Sequence, residues 1–340
     1  KAIIKSSERM NLVLYSNKSI EEMKNLVINS FSDVPKREVG LISYASETPA
    51  FTPKELSRLE KVKTITKKRN LVFKFLLPSY LKEFHSKPLD ILAYYVGHEG
   101  KGSILSLLLK KKYALNLSTY DINYNDYFTV YLVEIELTEE GLQNYEEIVL
   151  IFFGYIKTLL QSGLTQEMFE EIQNMKKLSF LFRSKIDQVK KVIEVAENLK
   201  DFPPRFVNNV RFLLDDYNPG QFGELLGQII PENMIICLLN HDFENLSSTD
   251  PFFETKYSDE PISQELIGKI KSILEGSISS KIILTKILCD DLEQKFFMKI
   301  YNIILQKNAK YILTYQKPET TSTKTCSFPK KMISFQATSK

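Results

Sequence analysis

Residues 95–113, YVGHEGKGSILSLLLKKKY, contain the side chains with the clearest potential for chemistry, a histidine and an acid among three glycines. A hydrolytic zinc site needs two or three convergent imidazoles or carboxylates, two of them usually one helical turn apart, as in H-x-x-E-H or H-E-x-x-H. The 340 residues hold only His85, His98 and His241, and neither spacing occurs. The sequence therefore predicts no catalytic residue, no metal ligand and no cofactor in this chain.

The same glycines do not form a phosphate-binding loop. A P-loop requires Ser or Thr directly after Gly-Lys, whereas Gly102 separates Lys101 from Ser103 here. The chain also lacks G-x-S-x-G, and its scattered cysteines and histidines offer no local pair of nucleophile and base. Phosphoryl transfer and nucleophilic catalysis are therefore disfavoured.

A turn between two helices is the interpretation that remains. Gly97 ends the first helix, where unpaired carbonyl groups and the negative end of the helix dipole collect, and Glu99 adds a full negative charge. Such a corner suits an ammonium group. Ser103 can cap the next helix, and Gly100 and Gly102 allow a tight return. The alternative is a plain glycine-rich connector with an exposed glutamate.

The segment YALNLST at 113–119 is predicted to be a strand just beyond this turn. If the edge of that strand is open, an extended peptide can add to it by main-chain hydrogen bonds, with its terminal amine near Glu99. The alternative is a strand paired on both sides inside the sheet.

Hydrophobic periodicity and capping signals predict strands separated by helices. The predicted strands cover 10–16, 70–78, 113–119, 126–138 and 234–240. The first predicted helix begins at a Ser19–Glu22 capping box, the second covers about 87–96, and the third starts near Ile104. One long helix is predicted from the cap Thr138 to the stop at Gly163, and a further helix from Thr165 to about Phe182. This order indicates an α+β fold, a mixed sheet backed by helices on one side.

Composition limits the class of partner. The 45 basic and 42 acidic side chains give a net charge of only +3, without a basic stripe, which disfavours nucleic acid. Three widely spaced cysteines, Cys237, Cys289 and Cys326, indicate a reduced chain, and we expect a cytoplasmic location. The longest apolar run, 148–160, is too short to span a bilayer and contains Lys157, and the first residues lack the pattern of a signal peptide. We therefore expect no membrane partner.

Several collinear segments resemble one enzyme family. They are MNLVLYSNKSIEEMKNLVINSFSDV, KKRNLVFKFLLP, GHEGKGSILSLLLKKKYALNL, ELTEEGLQNYEEIVLIFFGYI, IIPENMIICLLNHDFEN and FFETKYSDEPI, which together cover about residues 8–273. In these segments the chain is similar to the insulinase, or pitrilysin, zinc metallopeptidases of the insulysin and nardilysin type. The resemblance implies a mostly antiparallel sheet and a chamber of four related domains, whose first domain holds zinc through H-x-x-E-H.

The resemblance also implies a domain organisation. Residues 1–35 correspond to the last strand and helix of a truncated catalytic domain, 36–58 to a linker, 59–275 to a noncatalytic second domain, and 276–340 to a divergent, partly disordered tail. The zinc motif is expected upstream of Lys1, so that zinc belongs to the full-length enzyme and not to this chain.

The family's exosite, which anchors the amino terminus of a peptide substrate, falls on five positions of this chain. They are Gly97, Glu99, Leu117, Ser118 and Thr119. The family usually has glycines where Thr119 and Tyr120 stand, which predicts a less open strand edge here.

The function expected from these observations is that of a fragment of a zinc metalloendopeptidase, inactive alone, which positions the substrate's amino terminus. The alternative is an inactive peptide-binding module that partners the missing catalytic half or a homologous subunit. A third alternative is a product without function, because the strand and helix of residues 1–35 leave apolar surface uncovered.

Overall fold

The structure, a computed structural model, describes residues 6–36, 51–124 and 126–276, together with the backbone of 331–336. Residues 37–50 of the predicted linker and 277–330 of the predicted tail lie outside the described residues. The described strands are β1 Asn11–Ser16, β2 Arg58–Lys63, β3 Asn70–Pro78, β4 Ala114–Tyr124, β5 Phe128–Leu137, β6 Met234–Asn240, β7 Ser248–Thr249, β8 Lys256–Pro261 and β9 Lys331–Gln336. The described helices are α1 Ile20–Phe31, α2 Pro88–Val96, α3 Ile104–Lys110, α4 Glu139–Gln143, α5 Tyr145–Ser162, α6 Gln166–Leu181, α7 Gln188–Asp201, α8 Pro219–Gly227 and α9 Gln264–Glu275.

The chain divides into two compact units, and the first comprises residues 1–42, 175–213 and 292–340. In this unit β1 pairs antiparallel with β9. Val13 of β1 packs against Val195 and Leu199 of α7 and against Val207. The Ser19–Glu22 capping box starts α1, as predicted. Strand β9 lies inside the tail that the sequence analysis expected to be partly disordered.

The second unit, residues 43–174 and 214–291, contains a seven-stranded sheet in the order β4-β5-β3-β6-β2-β8-β7. The pair β2–β6 is parallel, and every other neighbouring pair is antiparallel. This confirms the predicted α+β class with a mixed, mostly antiparallel sheet. Strand β4 is one outer strand of this sheet, and the short β7 is the other.

The main core covers one face of this sheet because β3 alternates apolar side chains toward it. Phe73 and Phe75 of β3 meet Phe152 of α5, with the Phe73 and Phe152 rings stacked at 4.7 Å. Tyr131 of β5 and Phe153 of α5 complete this aromatic layer. Among the described helices none alone is long and apolar enough to cross a membrane; α5 and α6, bent by 110°, meet the length and composition criteria only as a pair.

The prediction of one long helix from Thr138 to Gly163 is wrong. Thr138 caps the short α4, and the chain breaks at Asn144 before α5 begins. A Cβ atom at Gly141 would lie 1.8 Å from the carbonyl oxygen of Tyr113, so α4 rests directly on the backbone that leads into β4. Because this contact fixes the direction of α4, that helix ends before α5 begins in the direction that packs over the sheet.

Candidate functional site

The carboxyl end of α2 lies against the outer strand of the sheet. The helix ends at Gly97, as predicted, and the Gly97 N–H donates to the Ala93 carbonyl over 2.8 Å. A Cβ atom on residue 97 would lie 2.8 Å from that carbonyl oxygen and 3.3 Å from Thr119 Oγ1 of β4. Glycine at residue 97 therefore avoids a clash with a carbonyl of its own helix and a tight contact with β4.

Two hydroxyl groups hold this end of α2 in place. Thr119 Oγ1 donates to the Ala93 carbonyl over 3.2 Å, and the Tyr155 hydroxyl donates to the Tyr95 carbonyl over 2.7 Å. Burial raises the pKa of Tyr155, so its hydroxyl remains a donor. Side chains from β4 and α5 thus add a second donor to carbonyl groups in the last turn of the helix.

The turn from Gly97 to Ser103 connects α2 to α3. Gly102 has a φ of 89°, which favours glycine, and Ser103 Oγ accepts the Ser106 N–H over 3.1 Å, which confirms the predicted cap. A Cβ atom at Gly100 would lie 2.5 Å from His98 Nε2. Glu99 is exposed, and its carboxylate has no ion pair or hydrogen bond with any residue in the described ranges.

Strand β4 confirms the predicted strand at 113–119 but continues to Tyr124. Its inner edge pairs with β5, and no described strand pairs with its outer edge. The Leu117 N–H donates to Asn116 Oδ1 over 2.9 Å and so does not bond to β5. Because backbone direction alternates along a strand, the main-chain groups of Leu117, Thr119 and Asp121 face the outer edge.

The structure brings the five predicted site residues to one end of this edge. Gly97 and Thr119 lie against each other, and Glu99 follows two residues after Gly97. Leu117 is buried, whereas Ser118 is exposed and lies on the opposite face of the sheet, across from Glu134. The side chain of Ser118 therefore does not join the other four residues.

Two carboxylates that the sequence does not mark lie near the same strand, Asp121 on β4 and Asp90 on α2. Burial and then the nearby Asp90 carboxylate, in the first turn of α2, raise the pKa of the half-buried Asp121. The Asn123 amide, which donates to Asp121 Oδ2 over 2.7 Å, and Lys87 lower that pKa. No local pattern marks this pair, because it forms only when α2 packs beside β4.

The described histidines do not form a zinc site. His85 Nδ1 lies 2.6 Å from Asp215 Oδ1, and His241 Nδ1 lies 2.9 Å from the Thr64 carbonyl oxygen. His98 folds over Gly100 in the turn after α2. Within residues 6–36, 51–124 and 126–276, no three His, Cys, Asp or Glu side chains converge in a way that fits a metal ion.

A mixed sheet with one helix-covered face and a long open outer strand defines a pitrilysin-type fold. The crystal structure of pitrilysin matches 77% of this chain and 28% of its own chain, with a TM-score of 0.72 at 21% identity. Residues 4–176 match the model of the peptidase M16 inactive domain, and residues 180–287 match the middle or third domain of peptidase M16. The chain belongs to the peptidase M16, or insulinase, family.

Curated relatives are similar over three quarters of this chain. Nardilysin of Pongo abelii is 31% identical over 262 residues, which are 76% of this chain and 23% of the relative. Insulin-degrading enzyme of Bos taurus is 30% identical over 265 residues, which are 78% of this chain and 26% of the relative. The chain thus spans about a quarter of the length of these relatives.

Proposed function

We propose that this chain is the noncatalytic portion of a zinc metalloendopeptidase and that it holds the amino terminus of a peptide substrate. The match to the family's inactive and middle domains supports a noncatalytic role for this chain. In this proposal the metal and the catalytic base are supplied by residues outside this chain, and the isolated chain does not cleave peptides.

The observation that carries the proposal is the exposed Glu99 carboxylate, without a partner among the described residues, beside the end of α2. The helix dipole places negative potential at that end, and Glu99 adds a full charge. A peptide's terminal ammonium group can donate three hydrogen bonds, to this carboxylate and to neighbouring carbonyl oxygens. Solvent exposure limits the charge pair to about 1 kcal/mol, or roughly fivefold in affinity.

The outer edge of β4 supports the second part of the proposal, addition of the peptide as a further strand. Leu117, Thr119 and Asp121 turn their main-chain groups outward along this edge, and this pattern is what an added strand requires. The Thr119 side chain departs from the glycine usual in the family. Its hydroxyl is bonded to Ala93 of α2, so it is directed toward the helix and leaves the backbone edge clear.

The amine contact is tested with the full chain and a fluorescent peptide, either with a free amino terminus or acetylated. Fluorescence anisotropy gives the Kd of each. We expect Glu99→Gln to weaken binding of the free-amine peptide about fivefold and to leave the acetylated peptide unchanged. The matched control is Glu260→Gln, an exposed glutamate on β8 near the other side of the sheet, which should change neither Kd. Equal losses for the two peptides would contradict the assignment of Glu99.

A further inference from the structure

Three large apolar side chains lie in a row on strand β4, on the face of the sheet that points away from the main core. They are Tyr120, Ile122 and Tyr124, and they keep 43%, 42% and 46% of their surface exposed. Alternate residues of a strand share one face, so the three form a continuous row, which we call the apolar stripe. Apolar residues scattered singly on a surface are ordinary, whereas contiguous ones mark contact surfaces.

The apolar stripe continues into apolar side chains of the neighbouring strand. In the register of β4 and β5 its three residues lie opposite Leu132, Val130 and Phe128. Leu132 and Val130 belong to a small core whose described members all lie on strands. The Phe128 ring stacks on that of Tyr124, with 4.5 Å between the centroids. The stripe is therefore the outer margin of an apolar surface to which none of the described helices contributes a residue.

The other face of the same stretch of β4 is polar. Thr119 and Asp121 lie opposite Val133 and Tyr131, two members of the main core, so their side chains are on the helix-covered face. A sheet with one face packed on helices usually directs apolar side chains inward and polar ones outward. Beyond Ser118, strand β4 has the reverse arrangement. This reversal indicates that an apolar partner covers the open face of the strand.

A peptide added to β4 as a further strand places half of its side chains beside the apolar stripe. Side chains alternate between the two faces of a strand, and cross-strand neighbours on one face lie about 5 Å apart between Cβ atoms. In either strand direction, the peptide residues paired with Tyr120 and Ile122 are on the open face. The residues paired with Thr119 and Asp121 are on the helix-covered face. The stripe and the outward main-chain groups of β4 thus form one binding surface.

The stripe begins one step beyond the contacts proposed for the terminal amine. Ser118 shares the open face with the stripe and lies opposite Glu134, whose carboxylate accepts a hydrogen bond from the Asn70 amide. A peptide side chain beside Ser118 therefore meets polar groups. Apolar contact starts at the next position on this face, beside Tyr120.

Resting on that proposed function, we propose that the apolar stripe makes the chain selective for peptides that alternate apolar and polar side chains after their amino terminus. An apolar peptide residue beside Tyr120 or Ile122 removes apolar surface of both partners from water. Its neighbours in the peptide face Thr119 and Asp121, where an apolar side chain gains no such contact. The class of substrate is therefore an amphipathic, strand-forming peptide with a free amino terminus.

The test uses the full chain and free-amine peptides of serine and threonine in which a single leucine is moved from the second to the seventh position. Fluorescence anisotropy gives the Kd of each peptide. We expect leucine to tighten binding about fivefold at alternate positions and to have little effect at the positions between them. Acetylated versions of the same peptides report on the amine contact in the same assay.

Variants of the stripe show whether it causes the alternation. The double variant Tyr120→Thr with Ile122→Thr keeps residues that favour strands, and it should abolish the leucine preference. Ile122→Val keeps an apolar side chain and should retain the preference. The matched control is Phe252→Thr, which removes an 87% exposed phenylalanine from the turn between β7 and β8 and should leave the preference intact. Circular dichroism checks that each variant is folded.

The outcomes separate the two proposals. Equal Kd values for all leucine positions overturn the stripe, and an effect of acetylation then shows that the amine site still stands. A gain from leucine without alternation, or one that persists unchanged in the double variant, overturns the stripe too. An alternating gain that the double variant removes, without any effect of acetylation, supports the stripe and contradicts the assignment of Glu99. Absence of binding by every peptide overturns both proposals.

Discussion

The two outer strands of the seven-stranded sheet differ in length and in how they are closed. Strand β7 has 2 residues, and the chain then turns at Asp250, whose Oδ1 accepts the Phe252 and Phe253 N–H groups. Strand β4 has 11 residues and no described neighbour on its outer side. Short edge strands protect a sheet from unwanted pairing, whereas a long, open one is a hazard. One outer strand is thus too short to pair at length, whereas the other is long enough to accept the added peptide strand of the proposed function.

The largest expected effect comes from proline at the two edges. In Thr119→Pro the outward N–H of β4 is lost while pairing with β5 is preserved, because proline is tolerated where a strand faces no neighbour. We expect peptide affinity to fall at least about tenfold, measured by anisotropy with circular dichroism as a check of folding. Thr249→Pro in β7 should leave affinity unchanged.

A second control separates the backbone of residue 119 from its side chain. Thr119→Val keeps the N–H and the branched shape but loses the hydrogen bond to Ala93. Affinity near that of the wild type is expected. A loss in Thr119→Val as large as in Thr119→Pro would show that the hydroxyl, not the open edge, determines binding.

Next in size is the effect of adding a side chain at Gly97, where α2 ends beside β4. Gly97→Ala places a Cβ atom 2.8 Å from the Ala93 carbonyl oxygen, and we expect the free energy of unfolding to fall by about 1–2 kcal/mol. The control is Gly223→Ala in α8, where a Cβ atom meets nothing within 4 Å, and stability should rise by about 0.5–1 kcal/mol. Denaturant unfolding measures both changes, and equal effects would argue against close packing at Gly97.

The smallest effect concerns the Asn116 side chain, which occupies an outward N–H at the start of the β4 edge. Asn116→Ala frees the Leu117 N–H for a peptide carbonyl, so affinity should rise about twofold. Asn116→Asp keeps an acceptor oxygen at this position and should bind peptides like the wild type. Weaker binding in Asn116→Ala would mean that the asparagine contacts the peptide instead of competing with it.

The predicted features with local physical causes are confirmed. Gly97 ends α2, Ser103 caps α3 and Ser19 caps α1, because each depends on residues within one helical turn. The pattern of apolar residues that predicts β3 is equally local, and the predicted bounds, 70–78, agree with the structure. The resemblance to the insulinase family then supplied the arrangement of the sheet.

The features that the sequence analysis missed depend on contacts between distant residues. The break at Asn144 follows from α4 resting on the Tyr113 backbone, which no helical periodicity reveals. Asp90 and Asp121 belong to different elements, and only packing of α2 beside β4 brings them together. The pairing of β1 with β9 likewise joins the two ends of the chain.

Amide hydrogen exchange resolved to single residues, with and without a saturating free-amine peptide, tests most directly whether a peptide adds to β4. The account predicts slower exchange at the outward amides of Thr119 and Asp121 when peptide is bound, with no change at Ser118 and Tyr120, whose amides face β5. Unchanged exchange at Thr119 and Asp121 at saturation, or slowing along β7 and β8 instead, would contradict it.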